Sequence, residues 1–126
     1  MKKVFVSHVF NDREITHSIK GMSVENSGVV NGRFVFVQND VSIDGSAAID
    51  REIRNVMSGC NVALFLVGNN NHNSPWIERE VDLATSKGLP IIIMRLPNTN
   101  GGVPNALKYK RYQECSWSAN KLAALI

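Results

Sequence analysis

Four short apolar runs punctuate the chain: Val4-Phe5-Val6, Phe34-Val35-Phe36-Val37, Val62 to Val67 (VALFLV) and Pro90 to Met94 (PIIIM). Each is continuously apolar instead of alternating, the pattern of parallel strands covered on both faces. β-branched and aromatic residues fill them, side chains that pack well on a pleated surface. Between the runs the period lengthens to that of a helix. Asn11 stands at an N-cap position with Glu14 three residues on, and Ile15, Ile19 and Met22 then recur on one face. Ser46 is placed to cap a second helix, whose Ile49, Ile53, Val56 and Met57 share a face and which Gly59 stops. Ser74-Pro75 reads as N-cap and first helical residue of a third helix that ends at Gly88. Ser116 or Ser118 opens a last helix to Ile126, using Trp117, Leu122 and Leu125.

This alternation predicts an α/β fold: a doubly wound parallel sheet of four or five strands with helices on both faces. The fifth strand would be a short edge strand around residues 111–114, after the Asn- and Gly-rich loop from Pro97 to Lys110. At 126 residues the chain is expected to form a single domain, residues 1–126.

Composition narrows the function without naming it. The chain is 44% hydrophobic and 20% charged, within the ordinary globular range, so disordered and fibrous classes are set aside. Its net charge of +3 is small and its cations are scattered. Only Lys108, Lys110 and Arg111 approach a cluster, read as a solvated loop, so charge does not argue for nucleic acid. Cys60 and Cys115 lie far apart, form no CxxC pair and read as reduced thiols. Met1-Lys2-Lys3 precedes a run too short for a secretory segment, and no apolar stretch approaches the ~20 residues of a membrane span. The expected compartment is the cytoplasm, with no membrane partner.

Open parallel sheets bind ligands beyond the carboxyl ends of their strands. That rule selects three polar loops: Ser7 to Asn11, Gln38-Asn39-Asp40 through Gly45, and Gly68 to Asn73 with Asn70 at its centre. The helix after the third loop carries the sharpest signal. With Trp76 as origin and ~100° per residue, Ile77, Val81, Leu83 and Ala84 define an apolar arc, and Glu80 falls inside it at about 40°. Glu78, Arg79, Asp82, Thr85 and Ser86 fall outside. A carboxylate on an apolar face is costly unless something pairs it. Glu80 either satisfies a structural partner or serves a site, and its place near a helix start beside the ligand edge favours the second reading.

Other groups carry less. His8 could bond a ligand or simply occupy a turn. His72 sits in an Asn-rich loop and His17 on the polar face of its helix. No histidine pair has metal-ligand spacing, so no metal is expected. GxSxG, P-loop and GxGxxG motifs are absent from the sequence. Asp40 and Asp44 could hold a ribose or a cation, although loop aspartates mostly cap turns.

The segments Lys3-Val4-Phe5-Val6-Ser7, Val62 to Gly68 and Ser74-Pro75-Trp76-Ile77-Glu78-Arg79-Glu80 resemble TIR domains, specifically the short bacterial TIR-like family that includes the TIR subunit of the Thoeris anti-phage system. The resemblance covers Lys3 to about Met94, and Ser-Pro-Trp followed by Glu four residues after the Trp is its most specific part. It implies a flavodoxin-like fold and, for enzymatic members, cleavage of NAD+ at the nicotinamide–ribose bond, with NAD+ as substrate and no further cofactor. The family's catalytic glutamate falls on Glu80, and its nucleotide-contacting first loop on Ser7 and His8. With Asn39, Asp40 and Asn70 of the ligand-edge loops and Trp76, Ser7 and His8 make up the candidate substrate contacts. The products would be ADP-ribose or a cyclic ADP-ribose isomer, the latter a messenger for an effector protein, and activation would involve self-association. Two other classes stay open: a TIR-like interaction module without turnover, and a nucleoside deoxyribosyltransferase-like enzyme, which also uses a glutamate.

Overall fold

The structure, a computed structural model, describes residues 1–8, 13–38, 42–68 and 75–126. Among them run β1 (Lys2–Ser7), α1 (Arg13–Gly21), β2 (Gly32–Phe36), α2 (Ser46–Met57), β3 (Val62–Val67), α3 (Pro75–Ser86), β4 (Ile91–Arg95), β5 (Gln113–Cys115) and α4 (Ala119–Leu125). The strands form one sheet in the order β2-β1-β3-β4-β5, and every pairing is parallel. This is the flavodoxin-like α/β architecture.

The period of two in each strand divides the apolar side chains between two cores. Phe5, Ala63, Phe65, Val67, Ile91 and Ile93 face α2 and α3, where Ile49, Ile53, Met57, Trp76, Ile77, Val81 and Ala84 cover them. Val4, Val6, Leu64, Leu66, Ile92 and Met94 face the other way, toward Ile19 of α1, Met22 just after it and Leu122 of α4. β3 is buried along its whole length, as its unbroken apolar run predicts. β2 departs from that expectation. It begins at Gly32 instead of Phe34, and its Arg33 is exposed between buried neighbours. The reason is its position at the sheet edge, where the two faces are not equally covered. β5 occurs two residues later than the sequence pattern placed it, and its isolated pairing with β4 leaves it mostly exposed.

Helix ends follow local chemistry with one correction. Gly45, not Ser46, is the N-cap of α2; its φ of 94° turns the chain into the helix, and no side chain caps it. Ser118 opens α4, accepting a hydrogen bond from the Lys121 amide. α3 ends as Gly88 predicts. Gly88 adopts φ 68°, its amide donates to the Thr85 carbonyl, and the Leu89 amide donates to that of Ala84. This paired closure satisfies two orphan carbonyls of the last turn. The expected caps Asn11 and Ser74 lie outside the described residues.

A matched pair of substitutions tests this account of the chain. A Cβ on Gly88 would touch nothing within 4 Å, yet the left-handed backbone should make Gly88→Ala cost about 1 kcal/mol. Gly21 is equally uncrowded but helical, so Gly21→Ala should be neutral or stabilising by a few tenths of a kcal/mol. Urea unfolding of both variants beside wild type measures the difference.

Candidate functional site

In the order 2-1-3-4-5 the chain reverses its direction of winding between β1 and β3, and the crevice beyond their carboxyl ends is where such sheets bind ligands. Ser7 is the last residue of β1 and Gly68 follows β3. Strand parity puts Ser7 on the same face as Phe5, toward α2 and α3. Glu80 approaches it from the second turn of α3. The Ser7 hydroxyl donates to Glu80 Oε1 at 3.0 Å, a bond between residues 73 apart in the chain. Both partners are buried, at 3% and 5% exposure.

The helical phase of α3 agrees with the apolar arc read from sequence. Trp76, Ile77, Glu80, Val81 and Ala84 are buried, whereas Glu78, Asp82, Thr85 and Ser86 are exposed. Burial pushes the Glu80 carboxyl up from 4.5 to about 8, against the Ser7 hydroxyl, which favours the ionised form and lowers it. At neutral pH the resting group is thus mostly a neutral acid. Placing a positive charge beside it would favour ionisation.

His8 continues β1 past Ser7 and is half-buried. Its ring meets that of Phe36 edge-on, with centroids 5.2 Å apart and planes at 83°. The Lys20 ammonium lies 5.4 Å from the same Phe36 centroid. His8 and Ser7 therefore mark the end of β1 on opposite faces. Trp76 lies one turn before Glu80, and its ring packs in the core formed by α2, α3 and the sheet. Asn39, Asp40, Asn70 and His72 fall outside the described residues. Asp44 and His17 are exposed. Among the described residues no three His, Cys, Asp or Glu side chains gather as a metal site would require.

Sequence reasoning passed over one feature beside the site. Arg79 Nη1 lies 3.7 Å from Asp50 Oδ2, linking α3 to α2, and Asp50 Oδ1 is buried without a hydrogen bond. The signal was present: at ~100° per residue Asp50 falls at the margin of the arc that Ile49, Ile53 and Met57 define on α2.

The sequence profile of Thoeris protein ThsB, TIR-like domain, matches residues 5–101. The chain belongs to this family. No curated protein matches it. The matched stretch of the TIR-like domain contains Ser7 and Glu80 and ends before the basic cluster at Lys108.

The proton on Glu80 has a consequence for stability. The unfolded chain releases it near pH 4.5 and the folded TIR-like domain near pH 8, so folding takes up a proton between those values. The stabilisation is whole below pH 4.5 and is lost as pH rises toward 8, by up to about 1.4 kcal/mol per unit. Glu80→Gln removes the ionisation. Its melting temperature should equal or exceed that of wild type at pH 7.5, and the gap should narrow as pH falls toward 4.5, measured by thermal unfolding across that range.

Proposed function

We propose that this TIR-like domain cleaves NAD+ at the nicotinamide–ribose bond, with Glu80 as the catalytic carboxylate. The observation that carries the reading is the Ser7–Glu80 hydrogen bond buried at the crevice between β1 and β3. The resemblance supports it, because the Trp76-to-Glu80 spacing puts the family's catalytic glutamate on Glu80.

The chemistry asks little acid catalysis of the protein. Nicotinamide in NAD+ is already cationic, and as the C1′–N bond breaks its electron pair neutralises the departing ring. Positive charge then develops on the ribose. A preorganised carboxylate beside it stabilises that charge, and stabilisation of developing charge in a site that excludes water is commonly the largest catalytic term. The substrate's own cation favours ionisation of Glu80 on binding, and the Ser7 hydroxyl holds the resulting carboxylate in place. Water captures the ribosyl cation and releases a proton to give ADP-ribose, or a nucleophile within the same molecule closes it to a cyclic isomer. His8, together with Asn39, Asp40 and Asn70 of the neighbouring loops, completes the substrate contacts in this reading, and Trp76 braces the first turn of α3 behind Glu80. The reading extends to an effector protein that senses the product and to self-association on activation; Ile43, 94% exposed in the turn after β2, supplies apolar surface for such a contact.

The test is incubation of concentrated purified protein with NAD+, with products separated by chromatography and identified by mass. Wild type should consume NAD+ and folded Glu80→Gln should not; equal rates in the two would defeat the assignment. Turnover of deoxynucleosides with NAD+ ignored would favour the transferase class instead.

A pH profile tests the role of Ser7. Because kcat/KM reports the free enzyme, it should rise with pH and level off above about 8. Ser7→Ala removes a bond that favours the charged form, so the inflection should move to higher pH and the rate at pH 7 should fall about tenfold. An unshifted profile would show that Ser7 does not set the ionisation of Glu80.

A further inference from the structure

The basic cluster Lys108, Lys110 and Arg111 reads from sequence as a solvated loop, and the fold seats part of it on a hollow. The hollow has a volume of about 500 Å³ and lies at the amino-terminal edge of β4 and β5. Because the strands are parallel, this is the edge opposite the one that carries Ser7. Its floor is apolar, built from Leu89, Pro90, Ile91 and Tyr112, and Lys110 and Arg111 stand over it. Among the described residues no acidic one lines it. Among the described residues the ion pairs are Arg33–Glu25, Arg79–Asp50 and Arg95–Glu114, so Glu114, the acid nearest in sequence, is already engaged. Among the described residues the cluster's side chains enter no hydrogen bond or ion pair. Tyr109, between the lysines, is 97% exposed. Two cations without counter-charge over an apolar floor call for a ligand with an apolar body and an anionic end, and the volume lies within the range of small-molecule sites.

We propose that this hollow binds a small aromatic anion, an aryl or nucleoside phosphate in size and charge, with the ring against Leu89, Pro90 and Tyr112 and the anion on Lys110 and Arg111. The compactness of the cation set favours a small ligand over nucleic acid, which needs a track of cations along several phosphates. Lys110 to Gln113 lie beyond the stretch that the family profile matches, so the site is not one that family membership supplies. It stands independently of the reading of Glu80.

The probe is 1-naphthyl phosphate, titrated into the full ¹⁵N-labelled chain and followed by amide shifts. Saturable shifts should appear at residues 88, 89, 91 and 110–113. The double variant Lys110→Ala/Arg111→Ala, exposed positions without partners, should retain the wild-type melting temperature and weaken binding on the order of tenfold, the loss of one to two charge-assisted contacts. Neutral 1-naphthol and inorganic phosphate should each bind at least about tenfold more weakly, since each lacks one half of the match. Shifts confined to the Ser7–Glu80 crevice, no shifts, or equal binding by the double variant would overturn the proposal. So would equal binding of 1-naphthol, which needs only the apolar floor, or of inorganic phosphate, which needs only the cations. Tighter binding of a single-stranded oligonucleotide with a steep salt dependence would assign the cluster to nucleic acid and overturn it equally.

Discussion

The constraint on which the rest of this molecule depends is that β1 and β3 are covered on both faces. Parallel strands cannot be joined by tight turns, so every connection crosses over a face of the sheet, and the crossings must supply apolar cover to both sides. Here α2 and α3 cover one face, and α1 and α4 the other. The change of face occurs between β1 and β3, and that change opens the crevice at their carboxyl ends. The site is thus a by-product of how the core is buried. Ser7 reaches Glu80 because strand parity aims it toward α3, and Glu80 is buried because α3 must lay its apolar arc on the sheet.

Much of this was legible in the chain. The phase of α3 placed Glu80 among Ile77, Val81 and Ala84 before any contact was known, because helical period alone decides which residues share a face. Gly88 announced the end of α3 because only a left-handed residue closes that turn cheaply. The Ser7–Glu80 bond was less accessible: it needs strand parity, strand order and helix phase at once, and the sequence states only the first and last. β2 misled only at its start: Phe34 to Val37 are buried or half-buried as the run predicts, but the strand begins at Gly32 and its edge position leaves Arg33 exposed. Ser46 misled because side-chain capping and a glycine turn compete at the same place, and Gly45 took the turn. Asn39, Asp40 and Asn70 belong to polar stretches of the sequence with no period to read, and they lie outside the described residues.

The basic cluster shows a different limit. Lys108, Lys110 and Arg111 carry the same sequence signal whether they face water or a hollow. The floor beneath them comes from Leu89, Pro90 and Ile91, about twenty positions away in sequence, and meets them only because β5 pairs in parallel with β4. A loop that looks merely solvated can acquire a recognition surface through strand pairing, and local composition does not distinguish the two cases.

Glu80 also shows why a costly group is kept in a core. Held as a neutral acid, it sits among apolar neighbours with one satisfied hydrogen bond and adds no uncompensated charge to the interior. With a value of about 8, only about a tenth of the molecules carry the carboxylate at pH 7. An opposite charge within ~4–6 Å lowers such a group by about one to three units, enough to ionise half or more of the molecules at pH 7. Under the proposed reading, the cationic ring of the substrate supplies that charge. The fold then keeps its catalytic group in the form that favours stability and converts it on arrival of the molecule that requires it. The Ser7 hydroxyl can remain in place through the change, because it donates to Oε1 whether the carboxyl is protonated or not, so the geometry of the resting acid is already that of the working carboxylate.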